Sequence, residues 1–341
     1  MTGRGAPRAV LIDEPGKLRV VPDEPSAPGP GEALIEVAWS GICGSDREVF
    51  TGGRPEGFVR YPVIPGHEWS GTVAEVGAGV PAEIIGKPVV GEGFRSCRAC
   101  AACRRGDNNL CAADYDETGF TRPGAWANHL TLPAHLLHVL PEAADLRKAA
   151  ALEPAACTAA ATLKLATVPG ERVAVVGGGS LGLLATQLLA AVSPAELTLV
   201  HTRRDRADLA AACGATSLIT SEEAEQHLGR YDAVLEAAGA TGTADLATRL
   251  TRPGGRVALT GVPPHDRQPP SPAHLVVSQI TVHTVFGAPP RAWTQAVRAF
   301  TSGVLDPGLI ISRELELDEA PEALRLLDEE RDKIVKILLH P

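Results

Sequence analysis

Between residues 18 and 90 the chain alternates short aliphatic runs with glycine and proline: LRVV, ALIEVAWSGI, SGTVAEVGA and KPVVGEG. Short runs of this kind, bounded by turn residues, predict strands, and together they predict a small barrel-like or sandwich-like domain. From about residue 155 the rhythm changes. RVAVVG leads into a glycine-rich turn and the apolar stretch LGLLATQLLAAV at 181–192, followed by ELTLVHT, a helical stretch, YDAVLEAAG, another helix and GGRVALTG. Strands that alternate with helices predict a parallel, doubly wound sheet, so the fold class is α/β with a second, β-rich domain. Beyond about 290, helices are expected around AWTQAVRAF and APEALRLLDEE, and a strand at KIVKILL. A terminal strand needs a sheet to pair with. The C-terminal segment is therefore expected to return to the first domain, although the pattern does not fix the sheet that receives it.

Composition narrows the function classes. A length of 341 residues suits about two domains. The formal charge of −9 is opposite in sign to a nucleic-acid footprint, which needs basic stripes to neutralise phosphates. The best apolar stretch, 181–192, contains Thr186 and Gln187 and falls short of the roughly 18 residues of a membrane span. The N-terminal MTGRGAPRAVLIDEPG has an apolar run only at 9–12, shorter than a secretory h-region, so the expected location is a reducing cytoplasm. The proline-dense PPHDRQPPSP at 263–272 is expected as one exposed loop.

Four of the seven cysteines fall in CRACAACRRGDNNLC, at Cys97, Cys100, Cys103 and Cys111. Disulfides, an iron–sulfur cluster and zinc compete for them. A chain of this size needs no disulfide framework, and a reducing compartment disfavours one. The bacterial cluster run closes with C-x3-C-P, whereas Cys111 follows after seven residues and precedes alanine. Tetrahedral zinc takes four thiolates, and Gly106, Asp107 and Asn108 allow the turn that returns Cys111 to the other three. With all four positions filled by protein, such a zinc is structural.

The turn GGGSLG matches G-x-G-x-x-G as Gly177, Gly179 and Gly182, with Ser180 and Leu181 opening the helix behind the strand VAVV. Gly177 serves the tight turn, Gly179 the approach of backbone to a pyrophosphate and Gly182 the close packing of helix on strand. A diphosphate then rests on the helix N-terminus. The acidic residue that grips an adenosine ribose is expected about 20 residues on, but His201 stands there, followed by Thr202, Arg203 and Arg204. A missing carboxylate removes the repulsion of a 2′-phosphate, and the arginines supply charge for it; NADP is the expected cofactor, with NAD also accepted.

Upstream lie GICGSD at 41–46 and PGHEWSG at 65–71, which bring Cys43, His67 and Glu68 as candidate metal ligands. These motifs, the four-cysteine stretch, ALEP at 151–154 and GGGSLG occur in the order and approximate spacing of the zinc-dependent medium-chain alcohol and polyol dehydrogenases, and the chain resembles that family over essentially its whole length. The resemblance implies a GroES-like catalytic domain from 1–154 and 290–341, carrying the structural-zinc lobe at about 93–115, and a Rossmann nucleotide-binding domain at 155–289. It also implies two zinc ions per chain. The catalytic one is held by Cys43 and His67, with Glu153 where the ethanol-type branch has cysteine, as in the sorbitol and threonine dehydrogenase branch; Glu68 is a further candidate. Cys157 is expected in the core. An alcohol is too weak an acid to ionise at neutral pH, which explains the need for a metal with an open position. The hydride then passes to nicotinamide. Ser45 resembles the family's relay hydroxyl and Asp46 the carboxylate that orients the histidine. Where many relatives carry a proton-accepting histidine, this chain has Glu48.

The resemblance implies an oxidoreductase that interconverts a secondary alcohol and a ketone. The stretch YPVIPGHEWSG is similar to amino-cyclitol dehydrogenases of aminoglycoside (antibiotic) biosynthesis, such as the 2-deoxy-scyllo-inosamine dehydrogenases. L-threonine 3-dehydrogenase, or another sorbitol-type polyol dehydrogenase, is the alternative. A zinc-free quinone-type reductase fits poorly with Cys43, His67 and Glu153 together, and a scaffold without chemistry fits poorly with an intact glycine turn. Glu48, Arg54, Glu56 and Arg60 lie in the loop expected to line the mouth of the site, and the sequence does not fix their places there. Relatives form dimers and tetramers, which implies a homodimer or homotetramer with SQITVHTVFG at 278–287 as the pairing edge.

Overall fold

The computed structural model describes residues 6–263, 268–330 and 333–341, so part of the proline-dense loop expected at 263–272 lies outside the described residues. The chain divides into two compact units, Met1–Glu153 with Ile311–Pro341, and Pro154–Ile310.

In the first unit the aliphatic runs form strands. Among the described residues a seven-stranded sheet runs in the order Ile311–Glu316, Lys336–His340, Glu32–Ile42, Trp69–Val76, Pro88–Gly91 and Leu137–Val139, with His129–Pro133 also paired to Glu32–Ile42. The long strand Glu32–Ile42 is central because its side chains supply an apolar face: Ala33, Ile35 and Val37 are buried with Trp69, Val73, Leu130 and Leu132. The terminal strand does return to this unit. Lys336–His340 lies antiparallel to Glu32–Ile42, with Ile337 opposite Ile42 and Leu339 opposite Ser40. That register sets Lys336 just beyond Ile42, at the end of the strand that delivers Cys43.

The second unit holds a six-stranded sheet among the described residues, in the order Ser217–Thr220, Glu196–His201, Arg172–Val176, Tyr231–Glu236, Thr251–Leu259 and Thr281–Thr284. Every neighbouring pair is parallel. Numbered within the unit this is 3-2-1-4-5-6, the dinucleotide-binding order, with its switch point between Arg172–Val176 and Tyr231–Glu236. Parallel strands covered on both faces read as continuous apolar runs, and Val173–Val176 and Ala233–Leu235 are fully buried or nearly so. Thr281–Thr284 forms the sheet edge, and Val276 and Val277 beside it are 75% and 83% exposed, far above what a core valine shows.

Two expectations shift. The return to the first unit comes after Ile310 rather than at 290. The helix Pro290–Thr301 buries Ala292, Trp293 and Ala296, and the segment behind it is tied to the glycine-turn helix by paired bonds: Asp306 N–H donates to Gln187 Oε1 at 2.7 Å and Gln187 Nε2 donates to the Asp306 carbonyl at 3.2 Å. The second difference is a helix at Leu152–Leu165 that the apolar pattern does not single out, because LEPAACTAAATLKL is rich in alanine on every face and shows no amphipathic stripe.

Candidate metal centres and cofactor turn

Cys43 stands where the central strand ends and the helix Gly44–Thr51 begins. Its N–H donates to Asp46 Oδ2 at 2.8 Å, so the first helical turn folds back on the cysteine. Ser45 Oγ donates to Cys43 Sγ at 3.2 Å and lies 3.5 Å from His67 Nε2. On the other side of the imidazole, His67 Nδ1 is 3.3 Å from Asp46 Oδ1 without an aligned hydrogen bond. Burial opposes a charge on His67, but Asp46 and the Cys43 sulfur outweigh it and hold the pKa well above the usual histidine value. A cation beside the ring would meet the same two anionic partners.

Glu68 follows on the strand side. A Cβ on Gly41 would stand 2.2 Å from Glu68 Oε2, so the first glycine of GICGSD exists to leave room for this carboxylate. Both Glu68 oxygens accept from Lys336 Nζ, at 2.8 and 2.6 Å, and Nζ also donates to the Ile42 carbonyl at 3.1 Å. The pair is almost fully buried, with the two side chains 3% and 0% exposed. Burial works against the Lys336 charge; Glu68 outweighs it, with support from Cys43 and Glu153, and the pKa lies above the ordinary lysine value.

The structure thus brings Cys43, His67 and Glu68 together, with ligand atoms all within 4.8 Å of one another. Glu153 lies outside that set among the described residues, in the first turn of the helix Leu152–Leu165, near enough for its charge to reach Lys336 and Glu117. A thiolate, an imidazole and carboxylates form a donor set that fits zinc. Cys157, one turn along the same helix, is half-buried.

Cys97, Cys100, Cys103 and Cys111 form the second group. The sulfurs of Cys100 and Cys103 are 3.5 Å apart and those of Cys97 and Cys103 3.9 Å, close to the ~3.8 Å edge of a tetrahedron with zinc–sulfur bonds of about 2.3 Å. Backbone N–H groups point at the sulfurs: Cys97 to Cys111 at 3.3 Å, Cys100 to Cys97 at 3.3 Å, Ala112 to Cys100 at 3.5 Å and Ala113 to Cys111 at 3.4 Å. Such donors favour thiolate, and the Ala112 N–H above all draws the Cys100 thiol down to about 6. The group fits a closed zinc site.

In the second unit Gly179 caps the helix Ser180–Ala190, which Ser180 and Leu181 open. A Cβ on Gly182 would stand 1.8 Å from the Gly177 carbonyl oxygen, and Gly177 has φ +114° with Ala238 N 2.7 Å from its own ideal Cβ; neither position accepts a side chain. At Gly179 a Cβ would meet nothing within 4 Å, which leaves open backbone for a pyrophosphate. His201 ends the strand Glu196–His201 with its ring against Gly178. Thr202 is exposed beyond it, Arg203 pairs with Asp205 at 2.8 Å, and Arg204 pairs with Glu223.

Two further residues stand near the first group, Lys336 and Glu117. Lys336 carried a signal, since a lysine within the aliphatic KIVKILL needs a buried partner. Glu117 carried none. It is 5% exposed, and burial, relieved in part by His67 and raised again by Glu153, pushes its carboxyl up to about 8. Arg54, expected at the mouth, lies with its guanidinium 3.8 Å from the centre of the Phe120 ring, and Phe120 in turn packs 4.8 Å from the His67 ring.

Comparison with known proteins agrees with this geometry. Residues 29–142 match the alcohol dehydrogenase GroES-like domain, and residues 180–302 match the zinc-binding dehydrogenase domain. A protein of Mycobacterium tuberculosis named a probable zinc-binding alcohol dehydrogenase is 34% identical over 325 residues, covering 92% of this chain and 83% of its own. An L-threonine 3-dehydrogenase of Streptomyces avermitilis is 31% identical, covering 88% of this chain and 89% of its own. A structure assigned as a zinc-binding dehydrogenase of Sinorhizobium meliloti 1021, bound to NADP, superposes with a TM-score of 0.92 at 29% identity, over 99% of this chain and all of its own.

Proposed function

Since the chain belongs to the zinc-dependent medium-chain alcohol dehydrogenase family and is an NAD(P)-linked oxidoreductase of alcohols, we propose that it oxidises or forms a secondary alcohol on a polyol or amino-cyclitol, with 2-deoxy-scyllo-inosamine as the leading candidate. The observation that carries the chemistry is the buried cluster of Cys43, His67 and Glu68 with Ser45 between thiol and imidazole. Cys43 and His67 are proposed to hold the catalytic zinc with Glu153, and Glu68, whose oxygens both accept from Lys336, is the further candidate ligand. Bound zinc supplies a Lewis acid for the carbinol oxygen, and the dinucleotide accepts the hydride. Ser45 would relay the hydroxyl proton, accepting it on Oγ as its own hydroxyl proton passes on to Glu48 or directly to water, and the Asp46 carboxylate lies 3.3 Å from His67 Nδ1 on the far side of the ring. Lys336 holds Glu68 in place.

The amino-cyclitol reading rests on the resemblance of YPVIPGHEWSG and on the polar residues Arg54, Tyr115 and Glu117 around Phe120. NADP is proposed as the preferred cofactor, from His201 in place of an acid, from Arg203 and Arg204, and from the NADP-bound relative. Initial rates with 2-deoxy-scyllo-inosamine, sorbitol and L-threonine, each with NADP and NAD, test both readings. The amino-cyclitol with NADP should give the highest kcat/KM, and Arg203→Asp should move the NADP to NAD ratio about tenfold or more toward NAD, the scale of one charge-assisted contact. Threonine as the best substrate would overturn the first reading, and an unmoved ratio would leave Arg203 to its partner Asp205.

A further inference from the structure

We propose that Arg54 and Glu117 form a subsite that reads a second hydroxyl on the substrate, next to the carbon being oxidised. The inference rests on the dehydrogenase reading above and assigns two further specificity residues to it.

The two residues belong to loops 63 positions apart, yet meet around one aromatic ring. Arg54 Nε donates to the Phe58 carbonyl at 3.1 Å and Nη2 to the Tyr115 hydroxyl at 2.8 Å, while the guanidinium lies on Phe120. Tyr115 passes the interaction on, since its hydroxyl donates to Glu117 Oε2. Arg54 and Glu117 themselves stay 4.0 Å apart, and Glu48 Oε2 is 3.7 Å from Arg54 Nη1. At these separations neither carboxylate makes a direct hydrogen bond to the guanidinium, which leaves its remaining N–H groups and Glu117 Oε1 for a ligand. Side chains only 10% and 7% exposed are costly to hold in this state for the fold alone.

Space is kept in front of the carboxylate as well. A Cβ on Gly93 would stand 3.0 Å from Glu117 Oε1. Gly93 has no positive φ, so the backbone does not require glycine there, and a side chain would press on the oxygen. Phe120 touches both Arg54 and His67, and the Glu117 charge is coupled to His67, Glu153 and Asp46, which places the pair beside the proposed zinc ligands. A donor and an acceptor side by side match a hydroxyl, which offers both roles. A neutral hydroxyl bonds to both partners without bringing a further charge into a buried site, so the pair favours a polyol or cyclitol over an amino acid.

The test compares cyclohexanol with 1,2-cyclohexanediol, which differ by one hydroxyl. Wild-type protein should favour the diol in kcat/KM by about 10-fold to 100-fold, the discrimination expected when a charged hydrogen-bonding site loses its partner. Arg54→Met should bring the ratio near one through a higher KM for the diol, with a smaller loss on cyclohexanol. Gly93→Ala, a milder change, should reduce the ratio in the same way. Calorimetric titration of the zinc-loaded, cofactor-free protein should show the same loss of diol affinity. Equal losses for both alcohols would make the network structural and overturn the subsite, as would a ratio that neither variant changes. Oxidation of neither alcohol by wild-type protein would remove the dehydrogenase reading and the subsite with it, while oxidation of cyclohexanol without preference for the diol would remove the subsite alone.

Discussion

Glu153→Ala is expected to lower turnover about a thousandfold, the scale of losing several kcal/mol of Lewis-acid stabilisation, while the affinity for NADP stays within about twofold of wild type. The contrast follows from placement. Glu153 sits in the first turn of Leu152–Leu165, and its charge reaches Lys336 and Glu117 around the first metal centre. The glycine turn at Gly177–Gly182 belongs to a different set of elements in the second unit. Of the carboxylates near Cys43 and His67, Glu68 is bound through both oxygens to Lys336 and Asp46 is engaged by Cys43 N–H and the imidazole. Glu153 is the acid proposed to complete the ligand set with Cys43 and His67. Turnover that survives the substitution, measured alongside cofactor affinity by fluorescence titration, would take Glu153 out of the site.

Lys336→Met should cost about 3–5 kcal/mol of stability, because it strands the fully buried Glu68 without its counter-ion. Activity should fall as well, since a freed Glu68 competes with Glu153 for the metal. The second change Glu68→Gln in the same chain should recover much of the stability by removing the uncompensated charge, and chemical denaturation of the three proteins reads both effects. A single variant as stable as wild type would mean that water reaches the pair and that the lysine does not hold Glu68.

The division into a β-rich unit and a parallel sheet was legible because the apolar runs change period: short and turn-bounded before residue 90, strand and helix in alternation after 155. The pairing partner of the last strand was not, since register depends on contacts between residues 40 and 339 that no local pattern encodes. The helix Leu152–Leu165 gives no signal in the apolar pattern because alanine covers all its faces. The motifs name Cys43, His67 and Glu68 and the four-cysteine group, and the structure brings the side chains of each group together. Motifs reach only as far as residues close in sequence. Lys336 against Glu68 and Arg54 beside Glu117 are brought together by the fold, and each charged side chain becomes intelligible once its buried partner is seen.

The most direct test of a zinc-dependent dehydrogenase is zinc per chain, measured by atomic spectroscopy on protein purified without chelator, in wild type and in the variants Cys43→Ala and Cys97→Ser. Wild type should hold about two zinc ions and each variant about one, as expected for one open and one closed site. About one zinc in wild type, retained in Cys43→Ala and lost in Cys97→Ser, would confine the metal to the four-cysteine lobe and contradict a catalytic zinc at Cys43 and His67.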